Sequence, residues 1–264
     1  MIRDFPVYET IRTERRGRIL TITLDRPEKL NAVDEKMHAE LATIFAEAAD
    51  DRHSDVIVLT GAGRAFSAGG DIVWMQKMID EGFEKTAREA KRIVLDLLDC
   101  DKPIIAKLNG HAAGFGATIA LFCDVIFAAD HAKIGDPHVS VGLTAGDGGA
   151  LIWPQLVGYA RAKQHLLTGD MLTAEEAERI GLINHAVPAG ELDLAVDNFA
   201  DRLAGGAQVA IRTTKCAINA PLKQFAAQMM DTCLALEAIS NASDDHQEAV
   251  NAFRGARQPI FKGR

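Results

Sequence analysis

The first 130 residues alternate between two hydrophobic patterns. Apolar side chains recur at every second position or in short continuous runs, which predicts β-strands at residues 20–24, 56–59, 104–108 and 125–129. Between these strands apolar side chains recur at helical spacing, which predicts helices at residues 37–45 and 83–98. Strands that alternate with helices predict a parallel sheet flanked by helices, and on this pattern alone an ordinary doubly wound α/β fold.

The pattern changes near residue 201, where the strand signal ends. Three helical stretches follow, at residues 207–218, 222–239 and 246–253. We therefore divide the chain into a core, residues 1–200, and a helical region, residues 201–264. A region of three helices has little interior of its own, so its apolar side chains, among them Met229 and Met230, favour a subunit interface over a local core.

Two glycine-rich turns follow predicted strands. One turn occupies residues 109–118, directly after the strand at 104–108, and runs into an apolar helix; the other occupies residues 61–72. Small residues let a ligand approach the main chain, and the first N–H groups of a helix have no partner within it, so such a turn can bind negative charge. Taken alone, either turn is more simply a tight strand-to-helix connection. The pair favours a shared site for one oxyanion.

Several segments in a fixed order carry a resemblance. They are ITLDRPEKLNA at residues 22–32, AFSAGGDI at 65–72, NGHAAGFG at 109–116, and LLTG at 166–169 with AEEA at 174–177 and GLIN at 181–184. On these segments the chain resembles the crotonase superfamily, the enoyl-CoA hydratase/isomerase family, over nearly all of its length. The resemblance implies an α/β spiral of repeated strand-strand-helix units. It also implies a C-terminal helical region that assembles subunits into trimers, often paired as hexamers.

The resemblance implies an enolate mechanism, in which two backbone N–H groups polarise the carbonyl of an acyl-coenzyme A thioester. These donors fall on Gly70 and Phe115. The family usually has glycine at the second position; phenylalanine keeps the backbone donor, while its ring reshapes the acyl pocket. Coenzyme A is part of the substrate, and no separate cofactor is implied. The implied substrate and coenzyme A positions are Glu28, Lys29, Ala68, Asp71, Ile72, Phe253, Arg254 and Arg257, with Trp74 and Thr118 in the pocket.

The acid and base residues depart from the family pattern. Hydratases of the family use two glutamates, whose positions here are Thr118 and His138, and a threonine hydroxyl titrates too high for a general base. Asp147 follows His138 in a glycine-rich loop that could return beside the imidazole. Residues 137–154 resemble the corresponding run of 6-oxocamphor hydrolase, a superfamily member that cleaves a carbon–carbon bond in a β-diketone. That resemblance implies that His138 activates water, that Asp147 orients it, and that retro-Claisen cleavage releases an enolate.

Three interpretations remain open at this point. The leading one is a crotonase-type enzyme that cleaves a β-dicarbonyl substrate, either an acyl-coenzyme A or a free β-diketone. The second is hydration or isomerisation of an enoyl-coenzyme A with a non-standard base. The third is an acyl-coenzyme A-binding oligomer that has lost catalysis, in which His138 is an ordinary loop histidine and Asp147 a turn residue.

Composition and charge limit the partners and the cellular location that fit this sequence. A net charge of −8 disfavours nucleic acid as a partner, and no segment approaches the length of an apolar membrane span, so we expect a cytoplasmic protein without membrane contacts. The basic residues at the C-terminal end fit either coenzyme A phosphates or a solvated tail. We expect no metal site, because no metal-ligand spacing of histidines occurs. The four cysteines are predicted to be buried in a reducing compartment. Helix surfaces or interfaces are predicted for His38, His53, His165 and His246.

Overall fold

The computed structural model describes residues 6–264, which form two β-sheets and nine α-helices. The strands are β1 (Ile11–Arg16), β2 (Ile19–Leu24), β3 (Val56–Gly61), β4 (Ala65–Ser67), β5 (Ile104–Leu108), β6 (His111–Ala113), β7 (Val125–Ala129), β8 (Lys133–Gly135), β9 (Leu172–Thr173) and β10 (His185–Val187). The helices are α1 (Glu35–Asp50), α2 (Ile72–Glu81), α3 (Glu84–Asp99), α4 (Phe115–Leu121), α5 (Gly149–Thr168), α6 (Ala174–Arg179), α7 (Leu192–Ala204), α8 (Gln208–Asn241) and α9 (Asp244–Arg254).

A repeated unit of two strands and a helix builds the core. The large sheet has the order β1, β2, β3, β5, β7, β10, and the small sheet has the order β4, β6, β8, β9. Strands β3, β5 and β7 of the large sheet are each followed by one strand of the small sheet and then by helix. Neighbours from β2 to β10 in the large sheet are parallel. The repeat confirms the expected spiral; the doubly wound fold that the hydrophobic pattern alone suggested does not form.

The central strands of the large sheet are buried on both faces, which explains their continuous apolar runs. In β3, Ile57 and Leu59 face the main core, where α1, α3 and α8 pack. Val56 and Val58 point to the opposite face and belong to a second apolar cluster with Val196 of α7. Successive side chains of a strand point to opposite faces, so only a strand covered on both sides is apolar at every position.

The C-terminal helices differ from the sequence prediction in three respects. One helix, α8, runs through Pro221 for 34 residues where two were predicted, and its packing on α3 holds it together across the proline. The proposed boundary after residue 200 falls inside α7. Met230 is fully buried in the main core instead of at a subunit surface, whereas Leu236 is 51% exposed.

Other expectations about individual side chains were partly wrong. Cys100, Cys123 and Cys233 are buried as predicted, but Cys216 is exposed on α8. His38 and His246 are buried, not on helix surfaces. Each has a hydrogen-bond partner for Nδ1 inside the protein: Glu89 for His38, and the Val141 carbonyl for His246. Within residues 6–264, no helix combines the length and apolar character needed to cross a membrane.

Candidate active site

Three parallel strands of the small sheet bring their carboxyl ends to one edge. β4 pairs with β6 through Ser67 and Ala112, and β6 pairs with β8 through Ala113 and Gly135. Because parallel strands end at the same edge, the segments that follow them lie side by side. These segments are residues 68–71, 114–118 and 136–141. Segments far apart in sequence, including both glycine turns, therefore meet at this edge.

The two glycine turns are in contact. Gly69 has φ 87° and Gly114 has φ 51°, a left-handed region that favours glycine. A Cβ atom added to Gly69 would lie 2.9 Å from the Ala113 carbonyl oxygen, and one added to Gly114 would lie 3.5 Å from Cε1 of His138. Gly69 has no room for a side chain, and the imidazole of His138 lies beside Gly114.

His138 sits between two buried carboxylates. It begins the short 3-10 turn His138–Val141, and its Nδ1 makes a very short hydrogen bond with Oδ1 of Asp136. On the other side of the ring, Nε2 lies 3.2 Å from Oδ2 of Asp147. The side chains of Asp136, His138 and Asp147 are at most 9% exposed. The structure thus brings together the predicted His138 and Asp147 and adds a third group, Asp136.

Asp147 is held from several directions. Its Oδ1 accepts a hydrogen bond of 3.2 Å from Oγ1 of Thr118, the pocket residue on α4. The backbone N–H of Gly149, at the start of α5, also donates to this carboxylate. The N-terminus of a helix favours negative charge. Gly149 must be small as well, because a Cβ there would lie 2.0 Å from Oδ2 of Asp136.

The two carboxylates determine the charge of the imidazole. Burial alone disfavours the charged ring, but the negative charges of Asp136 and Asp147 outweigh burial and raise the pKa of His138 well above 6.5. Burial likewise opposes ionisation of Asp147, yet His138, Thr118 and the Gly149 N–H together lower the pKa of Asp147. The two carboxylates therefore favour the protonated ring, which has an N–H facing each of them.

Asp136 was not among the residues predicted from the sequence. It stands two residues before His138, in a Gly-Asp-Pro stretch that is typical of a turn, and a turn gave no reason to assign it a role. A carboxylate two residues from an imidazole is nevertheless within reach when the intervening residue turns the chain, as Pro137 does here with φ −84° and ψ 26°. That spacing was the available signal.

The three side chains could also share a cation. One ligand atom from each of Asp136, His138 and Asp147 lies within 4.8 Å of the others. However, both imidazole nitrogens already face carboxylate oxygens, whereas a metal needs a neutral imidazole with one nitrogen directed at the ion. The arrangement is that of a hydrogen-bonded acid–imidazole cluster, and the expectation of no metal stays a prediction.

Phe115 is the first residue of α4 and forms part of an aromatic wall. Its ring centroid lies 5.1 Å from that of His38, which lies 4.9 Å from that of Trp74. Nδ1 of His38 is 2.8 Å from Oε2 of Glu89 on α3. A ring at position 115 therefore packs into a buried cluster, 5% exposed, instead of projecting freely into the site.

Five of the implied substrate-binding residues lie near the glycine turn at residues 61–72. Glu28 and Lys29 are exposed on the short 3-10 turn Pro27–Lys29. The next residue, Leu30, accepts a backbone hydrogen bond from Ala68 at 3.0 Å, which places this turn beside the exposed Ala68. Asp71 caps the N-terminus of α2 and accepts from the Val73 N–H at 2.9 Å. Ile72 is the first residue of α2.

The three implied C-terminal residues have different surroundings. Phe253 is 67% exposed on α9. Nη1 of Arg254 donates to the side chain of Gln76 on α2 at 3.3 Å, so α9 meets α2 there. Arg257 forms a two-point ion pair with Glu248, with nitrogen–oxygen distances of 2.5 and 2.8 Å.

The spiral of two sheets, with a buried acid–imidazole cluster at the strand ends, defines an α/β protein of the crotonase class. The family described as enoyl-CoA hydratase/isomerase matches residues 14–264, and the chain belongs to this family. Its relatives include a crotonyl-CoA hydratase of Syntrophomonas wolfei, 33% identical over 96% of this chain and 98% of that protein. Another is a 2,3-dehydroadipyl-CoA hydratase of Escherichia coli, 31% identical over 95% of this chain and 97% of that protein.

Solved structures agree with this assignment. A crystal structure of an enoyl-CoA hydratase/isomerase from Mycobacterium paratuberculosis superposes with a TM-score of 0.85 at 34% identity, and the alignment covers 92% of this chain and 98% of that one. An enoyl-CoA hydratase from Mycobacterium avium subsp. paratuberculosis gives a TM-score of 0.89 at 29% identity, over 97% of this chain and 100% of that one. The fold expected from the sequence resemblance is confirmed.

Proposed function

We propose that this protein is an acyl-coenzyme A enzyme that stabilises a thioester enolate and moves protons through Asp136, His138 and Asp147. One observation carries the proposal: a buried imidazole bonded to carboxylates at both nitrogens lies beside two touching glycine turns. Its relatives are named as enzymes of enoyl-coenzyme A substrates, which favours a coenzyme A thioester as the ligand of this site.

The two oxyanion donors of the proposal are the N–H groups of Gly70 and Phe115. Phe115 begins α4, and the first N–H groups of a helix have no acceptor within it. Gly70 forms a parallel bridge with Val33 that uses the Gly69 carbonyl and the Asp71 N–H. The N–H of Gly70 itself therefore points away from Val33. A donor aimed at developing negative charge in a buried site is worth about 3 kcal/mol in rate.

The charges of the cluster favour Asp147 as the base and His138 as the acid. The sequence resemblance implied instead that His138 activates water and Asp147 orients it. An imidazolium with two N–H groups has no lone pair with which to activate water, whereas ionised Asp147 can accept a proton. In this scheme Asp147 takes a proton from water, and the N–H at Nε2 of His138 supplies a proton to the enolate carbon. Proton transfer from Asp147 back to His138, across 3.2 Å, then restores the starting state.

For the reaction itself we propose hydrolytic cleavage of a carbon–carbon bond in a β-dicarbonyl substrate. Hydroxide from the activated water adds to the β-carbonyl carbon, the bond between the α- and β-carbons breaks, and its electron pair enters the thioester enolate. The products are a carboxylic acid and the shortened thioester. Two features support this reaction over hydration: neither hydratase glutamate is present, and the hydroxyl of Thr118 serves to hold Asp147.

A test by product analysis separates the candidate reactions. The purified protein is incubated with crotonyl-CoA and, separately, with β-ketoacyl-CoA compounds and cyclic β-diketones, and products are identified by mass spectrometry. We expect chain shortening or ring opening that is lost in Asp147→Asn and no addition of water to crotonyl-CoA. Binding of these thioesters without turnover of any would instead support the third interpretation, an oligomer that has lost catalysis.

Hydration of an enoyl-coenzyme A is the second candidate, and one contact favours it. The family position of the first glutamate is Thr118, and the hydroxyl there bonds to Asp147. A carboxylate therefore lies close to the place that the first glutamate would occupy, while His138 occupies the position of the second. Gain of water by crotonyl-CoA in the same assay would select this candidate and eliminate carbon–carbon cleavage.

We further propose a homotrimer, or a dimer of trimers, assembled through the C-terminal helices. Support comes from exposed apolar side chains on α8 and α9, Leu236 at 51%, Ile239 at 70% and Phe253 at 67%, and from Ile260 at 71% in the segment after α9. Apolar side chains clustered on a surface mark interaction sites. Sedimentation equilibrium measures the mass directly, and a monomer at micromolar concentration would exclude this proposal.

A further inference from the structure

Glu237 on α8 is a buried carboxyl group that the proposed reaction does not use. The residue is 4% exposed, and its Oε2 atom has no hydrogen-bond partner among residues 6–264. Buried polar atoms without a partner are rare in folded proteins, because each loses its hydration without compensation. Such an atom therefore calls for a functional explanation.

The position of Glu237 links it to the catalytic cluster. A Cβ atom added to Gly146 would lie 2.7 Å from Cβ of Glu237 and 2.3 Å from the carbonyl oxygen of Cys233, so α8 packs directly on the loop that ends in Asp147. The same loop is anchored to α8 by Thr144, whose N–H donates to Oγ of Ser240 at 2.9 Å. Glu237 thus lies on the wall of the active-site cluster.

Burial and the charges around Glu237 favour its neutral form. Burial raises the pKa of Glu237 well above 4.5, and the negative charges of Asp147 and Asp136 raise it further against the opposing charge of His138. On its own helix the nearest titratable group is Cys233, which is also buried. A neutral carboxylic acid is a hydrogen-bond donor, which a carboxylate is not.

Two other buried side-chain atoms without hydrogen-bond partners among residues 6–264 are acceptors and cannot donate. Oδ1 of Asn241, one turn further along α8, and Oδ2 of Asp136 are also buried without a partner among the described residues, and both are acceptors. Nδ2 of Asn241 is already committed to the Met78 carbonyl at 3.1 Å. The carboxylic acid of Glu237 is therefore the group of these three that can donate to a ligand oxygen.

We propose that Glu237 donates a hydrogen bond to a second oxygen of the substrate, carried on the β-carbon, and so selects acyl-coenzyme A compounds that have one. This inference rests on the proposed function, which places an acyl-coenzyme A thioester at the glycine turns. In the cleavage reaction the same bond stabilises the alkoxide that forms when hydroxide adds to the β-carbonyl. The selectivity has a physical basis, since a site with a buried donor rejects an analogue that leaves the donor unpaired.

Two unreactive thioethers test the proposal by binding alone. S-(3-oxobutyl)-coenzyme A carries an oxygen at the third carbon, and S-butyl-coenzyme A lacks it; neither can form a thioester enolate. Titration calorimetry of the intact protein gives both dissociation constants. We expect the oxobutyl compound to bind about tenfold more tightly than the butyl compound, the usual effect of one hydrogen bond to a buried group.

Two variants assign the preference to Glu237. Glu237→Met keeps the shape but removes the donor, and we expect the tenfold preference to fall to about one. Glu237→Gln keeps an N–H donor and retains most of the preference. Thermal unfolding of both variants checks the fold; we expect Glu237→Met to be no less stable than wild type, because the lost carboxyl has an unpartnered buried atom.

The outcomes distinguish this proposal from the proposed function. Equal binding of both thioethers by the wild type, or an unchanged preference in Glu237→Met, overturns the role of Glu237 and leaves the acyl-coenzyme A site intact. Failure of both thioethers to bind the wild type overturns the proposed function and this inference with it.

Discussion

Two buried histidines lie beside the glycine turn at residues 109–118, and they differ in their partners. His138 contacts two carboxylates, both from segments near the strand ends, and its ring is next to Gly114. His38 contacts one carboxylate, Glu89, and its ring packs between Phe115 and Trp74. A histidine paired with an acid therefore occurs in two different settings in this protein.

The surroundings of each pair show what distinguishes them. Around His138 there are acceptors without partners, such as Oδ2 of Asp136, and left-handed glycines that leave the main chain open to a ligand. Around His38 the contacts are aromatic rings, and the pair links α1 to α3. We infer that the first pair moves protons, whereas the second holds the wall on which Phe115 rests.

The largest expected effect comes from removing the first imidazole. His138→Ala deletes the proposed proton donor and should lower kcat by about 10²–10⁴-fold, the range for loss of a general acid or base. Steady-state kinetics on the substrate identified by product analysis measures it. His38→Ala is the matched control, since it deletes an equally buried imidazole. A comparable loss of kcat in both variants would remove the distinction between the two pairs.

Local patterns in the sequence predicted the scaffold of this site. The strands, the two glycine turns and the resemblance they carry led to the spiral fold and to the pairing of His138 with Asp147, all of which occur in the structure. Each of these features can be recognised within one short segment, from its hydrophobic spacing or its small residues. Their roles in oxyanion binding and proton transfer remain proposals.

Contacts set by long-range packing could not be predicted in the same way. His38 and Glu89 are 51 residues apart on two amphipathic helices, and nothing local in either helix indicates the pair. Glu237 is part of a helix with many polar residues, and it is buried where α8 packs on the loop that contains Gly146. The continuity of α8 through Pro221 likewise depends on tertiary contacts that outweigh the local preference of proline.

Asp136→Asn should have an intermediate effect and sharpen the comparison through its pH dependence. The two carboxylates hold the pKa of His138 above 6.5, so the acid form of wild type persists as the pH rises through 6.5 and is lost only at the raised pKa. Removing one carboxylate lowers that pKa. We expect the alkaline limb of the kcat profile to move to lower pH and kcat at neutral pH to fall about tenfold.

The free energy of unfolding should depend on pH in the same direction as kcat. A group whose pKa is raised in the folded state contributes stability that is complete below its unfolded pKa and lost as the pH rises through the folded pKa. Urea unfolding between pH 6 and 9 should therefore show wild type losing stability at a higher pH than Asp136→Asn. An alkaline limb that stays in place in the variant would show that the ionisation seen in kcat belongs to another group.

The smallest effect on catalysis is expected at the second pair, in Glu89→Ala. The substitution leaves Nδ1 of the buried His38 without its partner, and we expect the free energy of unfolding to fall by about 1–3 kcal/mol. Because the ring of His38 supports Phe115 but lies apart from the proton-transfer cluster, kcat should change by less than about threefold, while KM rises as the wall loosens. Urea unfolding and steady-state kinetics on the same preparation measure both quantities. Lys85→Ala, which removes an exposed neighbour 3.9 Å from Glu89, serves as the control and should change neither. A loss of kcat in Glu89→Ala as large as that in His138→Ala would place the second pair in the chemistry as well.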